Sequence, residues 1–112
     1  MNDTECKTAK IRRLNDQLRT TFTGGQVVVT RGIQSLDESV RAEILAAVKK
    51  FDAFTEDNDP RHEHDFAAIE VGGQTIFFKI DYYDLQMRFL SPDPANPTLT
   101  RRVLTIMKSE EY

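Results

Sequence analysis

Cysteine and long apolar runs are both scarce in this sequence. Its 112 residues include a single cysteine, Cys6, so no disulfide can form within the chain, and a reducing cytoplasm is the expected compartment. No apolar run approaches the roughly 20 residues that a membrane-spanning helix needs. The first residues also lack the charged, apolar and small segments of a secretory signal. We therefore expect a cytoplasmic protein that has no contact with a membrane.

A basic excess is lacking as well. Fifteen Lys and Arg residues against 18 Asp and Glu residues give a net charge of −3, whereas a dedicated nucleic-acid-binding domain usually carries a strong positive charge. We therefore expect no direct contact with nucleic acid. The carboxylates are concentrated in residues 52–65, where six acidic side chains stand against one arginine and give a net of −5. This acidic segment contains Asp52, Glu56, Asp57, Asp59, Glu63 and Asp65, together with Arg61.

Signatures of common enzyme classes are absent from the sequence. It has no G-x-S-x-G, phosphate-binding loop, H-E-x-x-H or C-x-x-C motif. Cys6 has no neighbouring base that would activate it as a nucleophile. We expect no cofactor.

The length suits one domain over residues 1–112, with residues 1–6 frayed, and 39% hydrophobic residues suffice for a core.

Hydrophobic periodicity predicts three helices. Apolar side chains at three- and four-residue steps predict one helix over about 5–21 and a second over 36–51. Ser35 and Glu38 have the spacing of a capping box at the start of the second helix. A third apolar stripe begins at Leu99 and predicts a helix that runs towards the C-terminus.

The remaining apolar segments predict strands. A β-branched run at 26–30 is typical of a short strand. Runs at 66–71 and 74–83 flank Gly72-Gly73, which indicates a β-hairpin because both turn positions tolerate a positive φ. A further strand is a weaker prediction for 85–90. The sum is an α+β fold of order roughly α-β-α-β-β-(β)-α, with helices packed on one face of a small, mainly antiparallel sheet.

Two histidines near the base of this hairpin are the best candidates for chemistry. If pairing extends past the strands, the register brings His64 opposite Asp81 and His62 opposite Tyr83. A His–Asp bond fixes the imidazole tautomer, as a general base requires, and His62, His64 and Asp81 could begin a zinc or nickel site. One hypothesis is therefore a small metal-dependent or acid–base enzyme, with Tyr83 and Lys79 assisting. The alternative interpretation is that the His–Asp pair only fastens the hairpin to the preceding loop.

Several segments together resemble a known family. They are Asn58-Asp59-Pro60, Glu63-His64-Asp65-Phe66, Lys79-Ile80-Asp81-Tyr82-Tyr83-Asp84, Ser91-Pro92-Asp93-Pro94, Arg102-Val103-Leu104-Thr105-Ile106-Met107 and Glu110-Glu111-Tyr112. In combination they resemble a domain-of-unknown-function family of small bacterial proteins, found mostly in proteobacteria and often on plasmids or other mobile elements. The resemblance covers residues 14–112 and implies an origin on a mobile element, but it implies no activity.

The leading functional hypothesis is a small non-enzymatic protein-binding module. Glu56, Asp57, Asp59 and Glu63 would meet a basic surface on the partner and steer association. Phe77 falls on the strand face opposite the core, where an exposed aromatic patch would mark a partner surface. Given the resemblance, the most specific form is an inhibitor of a host defence complex, of the anti-CRISPR or anti-restriction type. A dimeric structural or regulatory subunit is a third hypothesis, so both monomer and homodimer are expected states.

Overall fold

A computed structural model describes residues 5–112 and confirms an α+β fold. Four strands form one sheet in the order β1-β4-β3-β2, in which β1 is parallel to β4 and the other pairs are antiparallel. The elements are α1 (Lys7–Thr21), β1 (Gln26–Val29), α2 (Arg31–Gln34), α3 (Glu38–Lys50), β2 (Phe66–Val71), β3 (Gln74–Tyr83), β4 (Arg101–Lys108) and a 3-10 helix (Ser109–Glu111). None of the helices in residues 5–112 has the length and hydropathy that crossing a membrane requires.

Fraying was predicted for residues 1–6, of which residues 1–4 lie outside the described residues. Cys6 lies inside them and is the N-cap residue of α1, where its sulfur accepts a hydrogen bond from the amide of Ala9 at 3.4 Å. An N-cap side chain satisfies one of the backbone donors that the first helical turn leaves unpaired.

The β2–β3 hairpin has the register that its Gly-Gly turn predicts. Val71 pairs with Gln74, and Ala67 pairs with Phe78. Gly72 and Gly73 have φ angles of 58° and 78°, and both turn outward into open space. Glycine is therefore favoured at both positions by the positive φ angles that a two-residue turn requires, and not by a lack of space for a side chain.

The prediction of a C-terminal helix is wrong. Residues 101–108 form β4, which lies inside the sheet and pairs with β1 on one side and β3 on the other. Five of its eight residues are buried. A strand that is buried on both faces carries apolar residues without strict alternation, so the apolar spacing from Leu99 to Val103 and Ile106 imitates a helical stripe.

Two further local predictions are also wrong. Residues 85–90 do not form a strand, and only one isolated bridge joins Leu90 to Tyr83. Ser35 does not cap α3, because its hydroxyl donates to the carbonyl of Gly32 at 2.9 Å and it lies at the end of α2. The N-cap of α3 is Asp37, whose side chain makes no capping bond.

The helices bury their apolar side chains against the same face of the sheet. Leu18 of α1, Ile33 of α2 and Ile44 and Val48 of α3 are fully buried in one cluster. The sheet contributes Ala67, Val71, Ile76, Phe78, Ile80, Leu104 and Ile106 to that cluster. Because side chains alternate along a strand, the intervening residues point to the opposite face of the sheet.

Candidate functional site

The two histidines lie outside the hairpin ladder. Strand pairing ends at Phe66 and Lys79, and the φ angles of His62 and His64 are 61° and 55°. The backbone therefore leaves the extended conformation before His64 can face Asp81 across the strands. The carboxylate of Asp81 instead pairs with the ammonium of Lys79, which raises the pKa of Lys79 through that hydrogen bond. The expected His64–Asp81 contact is wrong.

His64 is held between two other carboxylates. Its Nδ1 lies 2.8 Å from Oδ1 of Asp16 in α1, and its Nε2 lies 3.5 Å from Oδ2 of Asp59. The ring of Phe54 stacks on the imidazole at a centroid distance of 3.9 Å. Both ring nitrogens therefore face carboxylates, and one face of the ring is covered. This arrangement fastens the loop before β2 to α1.

The predicted metal ligands are not brought together. The side chain of His62 is exposed, with its Nε2 3.9 Å from the carboxylate of Glu56, and the backbone carbonyl of His62 accepts a hydrogen bond from Arg12. Within residues 5–112, no group of three or more His, Cys, Asp or Glu side chains is arranged to hold a metal ion. His64 packs beside α1, while Asp81 points to the sheet face away from the helices.

The structure divides the predicted docking residues into two groups. Glu56 and Asp57 are exposed, and the side chain of Glu56 is 91% accessible. Asp59 is 4% exposed and accepts a hydrogen bond from the amide of His64. Glu63 is half-buried and accepts a hydrogen bond from the hydroxyl of Tyr82. Asp59 and Glu63 are thus engaged in contacts within the protein.

Phe77 belongs to an aromatic cluster on the face of the sheet that points away from α1, α2 and α3. Its ring centroid lies 5.1 Å from that of Phe66 and 5.7 Å from that of Tyr112, and Phe66 and Tyr112 are 5.9 Å apart. Tyr112 is 76% exposed. We call this side of the sheet the outer face, and its residues on β2, β3 and β4 include Phe66, Phe77, Lys79, Asp81, Tyr83, Val103, Thr105 and Met107.

A buried polar network that the sequence analysis missed lies beneath α1. Asn15 is fully buried, and its Oδ1 accepts a hydrogen bond of 2.7 Å from Nε of Arg102. Its Nδ2 donates to the hydroxyl of Tyr82 at 2.7 Å and to the carbonyl of Glu63 at 2.9 Å. The sequence contains a signal for this network, because Asn15 lies on the same face of the first helix as Ile11. Without hydrogen-bond partners its side chain would place an unsatisfied polar group in the core.

Burial changes the ionisation of two members of this network. It raises the pKa of the Tyr82 hydroxyl, which donates to Oε1 of Glu63 at 2.7 Å. It also lowers the pKa of the Arg102 guanidinium, which lies 5.1 Å from the centre of the Tyr82 ring. Removing charged groups from water disfavours their charged forms, so both shifts have the direction that desolvation gives.

A cavity of about 400 Å³ opens where β1 and β4 begin. It is lined by the segment Gly24–Gln26, by Pro97 and by the segment Thr100–Arg102. A Cβ atom at Gly25 would lie 2.5 Å from the carbonyl oxygen of Arg102 and 2.9 Å from Leu18. Only glycine allows the main chain this close approach to β4. None of the candidate residues from the sequence analysis lines this cavity.

Fold and contacts together define a small α+β protein in which three helices cover one face of a four-stranded sheet. The chain belongs to a family of proteins of unknown function, DUF3768, whose model matches residues 29–111. The predicted membership in a family of unknown function is thereby confirmed over residues 29–111. The match begins at the last residue of β1, so α1 and Asn15 precede it. No curated protein and no solved structure matches the chain.

Proposed function

We propose that the protein is a non-enzymatic binding module that docks on another protein through its outer face. The observation that supports this most is the one-sided packing of α1, α2 and α3, which leaves the aromatic cluster without a covering α-helix from residues 5–112. Tyr112 at the edge of this cluster is 76% exposed. Phe66 and Phe77 are half-buried, and an exposed aromatic ring beside a rigid sheet is a typical anchor of protein interfaces.

Charge favours a partner with a basic surface. The chain carries a net charge of −3, and Glu56 and Asp57 extend into solvent from the loop that precedes β2. Opposite charge on the partner would raise the association rate and make it sensitive to salt. Asp59 and Glu63 are left out of this proposal because they bond within the protein.

The specific form that we propose is inhibition of a host defence complex of the anti-CRISPR or anti-restriction type. Such a complex carries a basic nucleic-acid-binding surface, which an acidic protein can occupy without itself binding nucleic acid. The resemblance to proteins carried on plasmids and other mobile elements supports this choice. We propose that the encounter takes place in the cytoplasm, as the low cysteine content favours.

The experiment compares binding of the native protein and three variants to a purified CRISPR effector or restriction complex. Tyr112→Ser removes the exposed aromatic ring, and Glu56→Lys with Asp57→Lys reverses the exposed charge. Leu90→Ser is the matched control, because Leu90 is 79% exposed on a different loop. We expect Tyr112→Ser to weaken binding about tenfold, as loss of an interface anchor does.

The charge-reversal variant distinguishes the electrostatic effect on the association rate from the contribution of the aromatic ring to affinity. We expect it to lower the association rate at low salt and to differ less from the native protein at high salt. Leu90→Ser should bind like the native protein. Equal affinity of all variants would exclude docking through the outer face. Concentration-dependent sedimentation that Tyr112→Ser abolishes would instead identify this face as a homodimer interface.

A further inference from the structure

We propose that the cavity between the starts of β1 and β4 binds a small molecule through an oxyanion group, a phosphate or a carboxylate. This inference does not depend on the docking proposal, since it concerns a different part of the molecule. It follows from a buried arginine that has no carboxylate partner and that lines an open, positively charged cavity.

Arg102 and Arg19 are both only 3% exposed, yet their surroundings differ. The guanidinium of Arg19 forms an ion pair with Asp16 at 3.1 Å. Arg102 donates only to neutral acceptors, namely Oδ1 of Asn15 and the carbonyl of Pro94. Within residues 5–112, no carboxylate forms an ion pair with Arg102. The carboxylate of Glu63 acts on Arg102 without forming an ion pair with it, so an anion in direct contact with the guanidinium would stabilise the protein further.

Two of the five N–H groups of the Arg102 guanidinium are bonded, and the others are left over for a ligand. Its Nε and Nη2 are used as described, while its Nη1 has no hydrogen-bond partner among the described residues. Within residues 5–112, Nε of Arg19 is the only side-chain nitrogen or oxygen that is both buried and without a hydrogen-bond partner. Because Nη1 of Arg102 has no partner either, it must be in contact with solvent. The planar guanidinium matches the oxygens of phosphate and carboxylate groups, which it binds with short, charge-assisted bonds.

The charged residues that line the cavity are all arginines. Arg101 and Arg102 both contribute to it, whereas no acidic residue does, although the chain as a whole is acidic. Arg101 is exposed, and in the part of the chain that the structure describes its side chain makes no ion pair. The volume of about 400 Å³ is within the range of small-molecule sites and exceeds what a bare anion fills.

The opposite wall is built from main chain. Gly24 has a φ of 89°, and the position of Gly25 tolerates no Cβ because Arg102 and Leu18 are too close. The two glycines contribute main chain only to the lining. Pro97 adds a rigid wall on the side of the loop that precedes β4. The cavity is therefore shaped by groups of low conformational freedom, as a preformed binding site is.

The test titrates the native protein with sodium phosphate or sodium succinate at constant ionic strength, with sodium chloride as the reference. Two-dimensional amide NMR reports the residues affected. Arg101→Gln is the chosen variant, because Arg101 is exposed and its loss should not unfold the protein. Arg88→Gln is the matched control, since Arg88 is an exposed arginine that does not line the cavity.

We expect saturable shifts at the amides of Gly24, Gly25 and Thr100, with an affinity that falls about tenfold in Arg101→Gln and is unchanged in Arg88→Gln. Saturation by phosphate alone identifies a phosphate site, and saturation by both probes identifies a general oxyanion site. Either result supports the proposal. Absence of saturation by either probe up to about 50 mM would overturn it, since that affinity is too weak to matter in a cell. Equal affinity of the native protein and Arg101→Gln would overturn it as well.

Discussion

Arg102 of β4 donates a hydrogen bond of 2.7 Å to the side chain of Asn15 in α1, although 87 residues separate the two in sequence. The bond joins the first helix to an inner strand of the sheet, and both residues are more than nine-tenths buried. It also turns the guanidinium towards the polar network, and Arg102 is one of the residues that line the cavity. One contact thus connects the stability of the fold with the proposed anion site.

Replacing Asn15 should destabilise the protein strongly. Asn15→Leu leaves the buried Nε of Arg102 without an acceptor, and an unsatisfied buried donor costs about 1–3 kcal/mol of unfolding free energy. Urea denaturation followed by circular dichroism measures the change. Gln17→Leu on the same helix is the control, because Gln17 is exposed, and it should stay within about 0.5 kcal/mol of the native value. Equal stabilities of the two variants would show that the Asn15–Arg102 bond contributes nothing.

Tyr82 should make the protein sensitive to alkali. Burial raises the pKa of its hydroxyl above the ordinary value of 10.0, so the unfolded chain releases this proton at a lower pH than the folded protein does. The stabilisation is therefore fully present below the unfolded pKa and is lost as pH rises above it. Denaturation of native protein and of Tyr82→Phe between pH 8 and about pH 11 tests this. The native protein should lose stability more steeply, and Tyr83→Phe should behave like the native protein.

His64 is expected to act through stability and not through catalysis. His64→Ala removes the group between Asp16 and the buried Asp59, which leaves two carboxylates without their shared partner. We expect a loss of about 1–3 kcal/mol in unfolding free energy, as for other broken buried networks. His62→Ala should change little, because the side chain of His62 is exposed. A His64→Ala protein that is as stable as the native one would reopen the question of a catalytic imidazole.

The sequence predicted local features better than distant ones. The hairpin was predictable because its turn, Gly72-Gly73, and its register are determined within a few residues. The position of β4 was not, because its pairing with β1 and β3 depends on residues far away in sequence, and its apolar spacing also fits a helix. The prediction of a helix there failed because tertiary pairing overrides local periodicity.

The difference between local and distant contacts also explains which parts of the candidate sites could be predicted from the sequence. His64 was recognised as the partner of a carboxylate, but the sequence could not show that the carboxylates belong to Asp16 and Asp59. A left-handed backbone at His64 removed it from the strand, and only the structure reveals that conformation. The cavity beside Arg102 was invisible because Gly25, Pro97 and Arg102 come together only when β1 lies against β4.

Glu111 should control the position of the exposed Tyr112 and with it the outer face. Its carboxylate accepts hydrogen bonds from the hydroxyl of Thr30 at 2.7 Å, from the amide of Gly32 at 2.8 Å and from the amide of Lys108 at 2.9 Å. These contacts lower the pKa of Glu111 below its ordinary value of 4.5, and the hydrogen bond from Thr30 has the largest effect. The carboxylate therefore stabilises the C-terminal turn above the unfolded pKa, and this stabilisation is lost as pH falls through the lower folded pKa.

Glu111→Gln tests this role, with Glu110→Gln as the control because Glu110 is exposed and makes none of these contacts. We expect Glu111→Gln to be less stable than the native protein at pH 7 and to lose less stability on acidification to about pH 3. Amide hydrogen exchange at Tyr112 should become faster in Glu111→Gln, since the turn that presents the ring is released. If the acid sensitivity of Glu111→Gln equalled that of the native protein, the lowered pKa would have to belong to another carboxylate, and the turn would be held by the packing of Tyr112 against Phe66 and Phe77.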